Sequence, residues 1–189
     1  RIGRLDLLRA LFGGVTLTTV VAAEIGIDPR DVAAMAGAAS DCEGLDSAVM
    51  GNATDGSSAP DVRFDPRPGA SAIAEALAAG WLSIASPSGF PDIEPLNPGV
   101  DPGERSTIAL ALHWRAAGEQ VLVIIDDRCG RAEARSRGLS ILGTAALMVL
   151  AKEQRLIPAC APLLVALREE GYYLSDGLVA AVLAEVGEA

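Results

Sequence analysis

The sequence predicts an α/β fold in which helices layer on both sides of a mainly parallel central sheet, and three observations carry that prediction. The first is the stretch 121–131, VLVIIDDRCGR, an uncharged run rich in β-branched residues that stops at two aspartates before an Arg/Ala/Glu pattern. Such a run reads as a buried parallel strand feeding a helix. The second is the alternation of helical and strand-like patterns through most of the chain, the order of βα units. The third is composition: half of the 189 residues are hydrophobic but only 4% are aromatic. The core is therefore Ala, Leu, Val and Ile, which suits helices packed on a sheet.

The elements follow in order. Residues 4–12 place apolar side chains at 5, 7, 8, 11 and 12, one face of a short helix that Gly13 and Gly14 end. Residues 15–18 read as a short strand, and Thr18 or Thr19 can cap the helix VVAAEIG that carries Glu24. The stretch 28–68 breaks the pattern: it is dense in turn residues and acids and reads as a flexible acidic insertion, with a short helix expected around 32–39. At 69 order returns, with SAIAEALAAG as a helix and WLSIA as a strand, followed by a Pro-rich loop over 86–100. A helix over 101–117 opens on Asp-Pro-Gly-Glu, and Pro102 suits its first turn. After 121–131 and its helix come a short strand LSIL at 139–142, a helix started by Gly143 and Thr144, and two amphipathic helices over 158–170 and 175–186. The expectation is one domain over 1–189, interrupted at about 28–68.

Charge and cysteine usage narrow the function classes. Net charge is −10, which argues against a general polyanion binder, since phosphate contacts need Lys and Arg. Much of the imbalance sits in one segment, 28–66, where eight acids meet two Arg. The basic residues cluster behind the paired aspartates, where Arg128, Arg131 and Arg135 have helical i, i+3, i+7 spacing. They form either a phosphate-facing stripe or a solvated helix face. Cys42, Cys129 and Cys160 match no zinc or redox spacing. No apolar run approaches the roughly 20 residues of a membrane span, and no signal pattern opens the chain. A protein of the reducing cytoplasm, without a membrane, is expected.

Asp126 and Asp127 stand at the strand end that serves as the ligand edge of open α/β sheets. Two adjacent carboxylates repel one another and call for a cation, an Arg or a shared proton. The alternative is that one caps the following helix while the other is solvated. Glu24, the only acid of its segment, faces either solvent or a site. Glu104 lies in the first turn of its helix, where the partial positive charge favours a carboxylate, and a capping role is equally open to it. His113 is the only histidine, and with no Cys beside it triad chemistry has little to recommend it. The run IIDDRCGRAEA resembles the opening strand of a phospho-receiver domain, but only LSIL and helices follow, too few strands for that fold.

The ordered combination Gly103-Glu104 with Ile108, Leu110 and Ala111, then Asp126-Asp127-Arg128 with Arg131, Gly143-Thr144 and Leu156-Ile157, resembles a group of prokaryotic PIN-like proteins. The segment RLDLLRALFGGVTLTTVVAAEI is similar to that group's N-terminal part, with Glu24 at its second acidic position. The resemblance implies a three-layer α/β/α PIN-like domain and a Mg²⁺- or Mn²⁺-dependent ribonuclease acting on single-stranded RNA. It implies Glu24, Glu104 and Asp127 as ligands and catalytic residues, with Asp126 beside them as a further ligand and Arg128, Arg131 and Arg135 facing the nucleic acid. Hard oxygen ligands suit a hard cation that keeps waters able to supply a nucleophile. It also leaves room for an antitoxin protein partner and for a homodimer. In the family a strand delivering a first aspartate precedes the helix that matches 4–12, and here the sequence starts at Arg1, so that strand is expected to be missing. The alternative function is an inert PIN-like binding or interaction module.

Overall fold

The structure is a computed structural model that describes residues 2–27, 69–87 and 96–189. The acidic stretch 28–68, and with it the helix expected around 32–39, lies outside the described residues. In chain order the elements are α1 (Asp6–Phe12), β1 (Val15–Thr18), α2 (Thr19–Glu24), α3 (Ala70–Ala78), β2 (Leu82–Ala85) and α4 (Pro102–Ala116). There follow β3 (Leu122–Ile124), α5 (Arg128–Ser136), β4 (Ser140–Leu142), α6 (Thr144–Glu153), α7 (Ala161–Glu169) and α8 (Asp176–Glu185). Four of the eight described helices start on a capping side chain, as local chemistry dictates. Thr18, Asp101, Asp127 and Ser175 each accept a backbone N–H from the first turn they precede. Helix α1 stops at Gly13, whose φ of 74° is a conformation open to glycine at little cost.

Strand pairing is parallel, as the sequence pattern demands, but it is divided. β1 pairs with β2 in the register Val15↔Leu82 to Thr18↔Ala85, and β3 pairs with β4 from Leu122↔Ser140 to Ile124↔Leu142. Among the described residues these are two separate two-stranded sheets, not one continuous sheet. β1 and the stretch 121–125 both line one cavity of about 1850 Å³. The stretch read as a fully buried strand is accordingly buried on part of its surface only, and Leu122 is 44% exposed.

Around β3 and β4 the layering is as expected. Val123, Ile125 and Ile141 pack into a core shared with Ile108 and Ala111 of α4 and Ala134 of α5. Ile124 and Leu142, one residue out of phase, pack into a second core built from α1, α6, α7 and α8 around Leu7, Met148 and Leu164. That alternation is the period of two of a strand with helices on both faces. The C-terminal helices are latched at their far end by Glu188. Its carboxylate accepts the Cys160 and Ala161 N–H groups at 2.9–3.0 Å and meets Lys152 Nζ at 3.1 Å. These contacts fill the N-terminus of α7 with an anion and hold the Glu188 carboxyl below its ordinary range.

Candidate metal centre

Three helices begin at one end of the molecule, and each begins against a carboxylate carried by another element. Glu24, the last residue of α2, lies on Gly103 in the first turn of α4, where a Cβ would stand 2.7 Å from its Oε2. Glu104, the next residue of α4, lies on Gly130 in the first turn of α5, where a Cβ would stand 2.3 Å from its Oε2. Asp126, just beyond β3, reaches the start of α6 and accepts from the Thr144 N–H at 2.8 Å and the Thr144 hydroxyl at 2.5 Å. Glycine is required at 103 and 130 by space, because any side chain there would displace a carboxylate. The arrangement sets negative groups against the positive ends of helix dipoles.

A buried hydroxyl chain sets α2 against α4. Thr18, 1% exposed, accepts from Val21 N–H at 3.2 Å to cap α2 and meets Ser106 Oγ at 2.6 Å. Ser106 in turn donates to the Gly103 carbonyl at 2.6 Å. Each hydroxyl in the chain both accepts and donates, so these buried polar groups are satisfied and the start of α2 is joined to the start of α4.

The exception to that satisfaction is Glu104 itself. Among the described residues its Oε2 is sealed from solvent and has no hydrogen-bond partner. Burial pushes the Glu104 carboxyl above its ordinary range, and the negative charges of Asp127, Asp101 and Asp126 push the same way, against the single N–H of Asp127. Next to it, Asp126 Oδ2 accepts a short hydrogen bond from the Tyr172 phenol. Burial and that bond raise the phenol to about 12, so Tyr172 acts as a donor throughout the physiological range.

The structure brings Glu24, Glu104 and Asp126 to one cavity, lined also by Asp101 and Thr144. Asp127 is used differently: its Oδ2 caps α5 through the Cys129 and Gly130 N–H groups at 2.6 and 3.1 Å, leaving Oδ1 outside those bonds. Among the described residues no three His, Cys, Asp or Glu side chains are gathered closely enough to hold an ion by themselves. Of the three arginines, Arg128 and Arg135 are exposed, whereas Arg131 is half-buried. Arg131 Nη1 and Asp126 Oδ1 both lie over Gly143, at 2.4 and 3.0 Å from where a Cβ would be. His113 is exposed on α4. Sequence reasoning missed Tyr172 and Ser106 and saw Thr144 only as a helix start, because partnerships across 46 and 88 residues leave no local pattern.

A family model described as a PIN domain matches residues 61–188. The chain belongs to the PIN-domain family. The match covers α3 through α8 and all of the site except Glu24, which lies ahead of it. PIN domains have a nuclease-type α/β fold, generally use divalent metal ions and bind nucleic acid. No curated protein and no solved structure gives a match. Among the described residues no helix is long and apolar enough to cross a membrane.

The donor set fits a hard divalent cation. The decisive observation is Glu104 Oε2, a buried carboxylate oxygen with no partner, amid carboxylates whose repulsion a cation would relieve. Mg²⁺ keeps several waters and is held by one or two carboxylates together with substrate phosphates. A closed cage of three acids is therefore not needed.

Proposed function

We propose that residues 1–189 form one PIN-type unit that hydrolyses phosphodiester bonds of single-stranded RNA with Mg²⁺ or Mn²⁺. Glu104 is the principal ligand in this reading, with Glu24 and Asp126 on the same cavity and Oδ1 of Asp127 as a further donor. The ion, when bound, supplies Lewis-acid polarisation of the phosphate and a water of lowered pKa. The remaining work falls to the chain. Asp127 fixes the first turn of α5, which keeps Gly130 under Glu104. Thr144 anchors Asp126 and orients its carboxylate. Arg131, beside Asp126, offers a guanidinium for a backbone phosphate, and Arg128 and Arg135 extend that positive stripe along α5. The exclusion of water from Oε2 of Glu104 makes that oxygen's attraction for a cation stronger than it would be at the surface.

What supports the reading most is the unpartnered Oε2 of Glu104 within a PIN fold. Its test is cleavage of a single-stranded RNA with added Mn²⁺, with and without a chelator. Glu104→Gln is expected to lower the rate by about 100-fold, the scale of losing one electrostatic stabiliser, while the chain stays folded. We further propose that the chain is the toxin of a toxin-antitoxin pair; its expression is expected to arrest growth, and the same substitution to relieve the arrest. A second reading, an inert binding module, is favoured by one observation: Asp127 Oδ2 and both oxygens of Asp126 are already engaged by protein donors. Mn²⁺ binding by calorimetry together with no cleavage would decide for it.

A further inference from the structure

Tyr172 lies outside every local pattern around the acids, yet it reaches the centre from the turn between α7 and α8. Its phenol donates to Asp126 Oδ2 and stands 3.5 Å from the Thr144 hydroxyl. The turn that carries it is braced on both sides. The Tyr172 N–H donates to the Leu167 carbonyl at 2.9 Å, and the ring packs against the core of α6, α7 and α8. Arg168 closes the other side, donating to the Leu174 carbonyl at 2.6 and 3.1 Å and to Asp176 at 2.7 Å.

We propose that Tyr172 is a positioning residue for the metal centre, holding the Asp126 carboxylate in one orientation through Oδ2 so that Oδ1 is the freer oxygen for a cation. The inference rests on the metal reading above and deepens it. Asp126 follows a three-residue strand and is exposed, so nothing in its own element fixes its side chain. Three donors do so instead. The Thr144 N–H takes Oδ1, and the hydroxyls of Thr144 and Tyr172 share Oδ2. A carboxylate has about four lone-pair sites, so Oδ2 is filled by two hydroxyls while Oδ1, with one N–H, keeps capacity. Partners of this kind orient a ligand that would otherwise sample several rotamers, and losing one weakens metal affinity roughly 10- to 100-fold. The C-terminal hairpin thereby becomes part of the centre.

The test is Mn²⁺ titration of the whole chain, followed by the loss of the free-ion EPR signal, in parallel with thermal melting. Tyr172→Phe keeps the ring and removes only the hydroxyl; it is expected to bind Mn²⁺ about tenfold more weakly with an unchanged melting midpoint. Tyr173→Phe, one residue along and 88% exposed, is expected to bind as the wild type does. Equal affinity of Tyr172→Phe and wild type overturns the inference while leaving the metal reading intact. A wild-type chain that takes up no Mn²⁺ overturns the metal reading. The two failures are separated by the Asp126 carboxyl ¹³C resonance of the metal-free protein. It is expected to move on Tyr172→Phe whether or not an ion binds, and an unmoved resonance sinks the positioning role by itself.

Discussion

Glu104 is required to carry a charge where water does not reach its Oε2, and that sets its behaviour with pH. Its folded carboxyl titrates above the ordinary value of 4.5, first because of burial and then because of neighbouring carboxylates. A raised carboxyl contributes stability that is fully present below the unfolded value and is lost as pH rises through the folded one. In the metal-free protein Glu104→Gln is therefore expected to raise the melting midpoint at neutral pH, a gain that vanishes below about pH 4.5. A melting series over pH checks this; a substitution that destabilises at every pH would contradict it. Gly130 gives the converse case. A methyl group there meets the Glu104 carboxylate at 2.3–2.7 Å and Ile125 at 3.0 Å, and the carboxylate is the part free to move. Gly130→Ala is expected to abolish most Mn²⁺ binding with little change in melting, and calorimetry beside a melt distinguishes this from simple unfolding.

Between elements, the site depends on how helices are registered against one another. The Val21–Thr18–Ser106–Gly103 chain of hydrogen bonds joins the start of α2 to the start of α4 in the interior. Thr18→Val keeps the shape and removes the hydroxyl, which costs a cap and leaves buried groups unpaired. About 1–3 kcal/mol of stability is expected to be lost, read as a lower denaturant midpoint at unchanged slope. Mn²⁺ affinity is expected to fall with it, since Glu24 and Glu104 are carried by the two helices being joined. Much of this layer was legible in the sequence. The glycine stop at 13, the Pro102 first turn and Thr18 as one of two candidate caps are local chemistry and read from chain neighbours. The capping alternative for one of the paired aspartates was legible too. Which of the two takes it was not, because that depends on Thr144 arriving beside Asp126.

For the molecule as a whole, the divided sheet is the feature with the widest consequence. β1 and β3, each paired with one strand among the described residues, both line the same cavity, as do residues 2–5. With two strands in each sheet among the described residues, Val15–Thr18 and Leu122–Ile124 are expected to exchange amide protons faster than the interiors of α4 and α6; equally slow exchange at the strands and the helices would contradict the division.

Periodicity, caps and turn residues are properties of neighbours along the chain, so the sequence alone determined the succession of helices and strands, the parallel pairing and the family. It also put Glu24, Glu104 and Asp126–Asp127 near element ends, and the family resemblance singled them out as candidate ligands. The division of labour among them came only with the tertiary structure. That Glu104 has a buried oxygen without a partner, that Asp127 spends one oxygen on a cap, and that Tyr172 and Thr144 hold Asp126 all depend on groups tens of residues apart. Hydrogen bonding and desolvation act over a few ångströms, and only folding decides which distant residues come within that range.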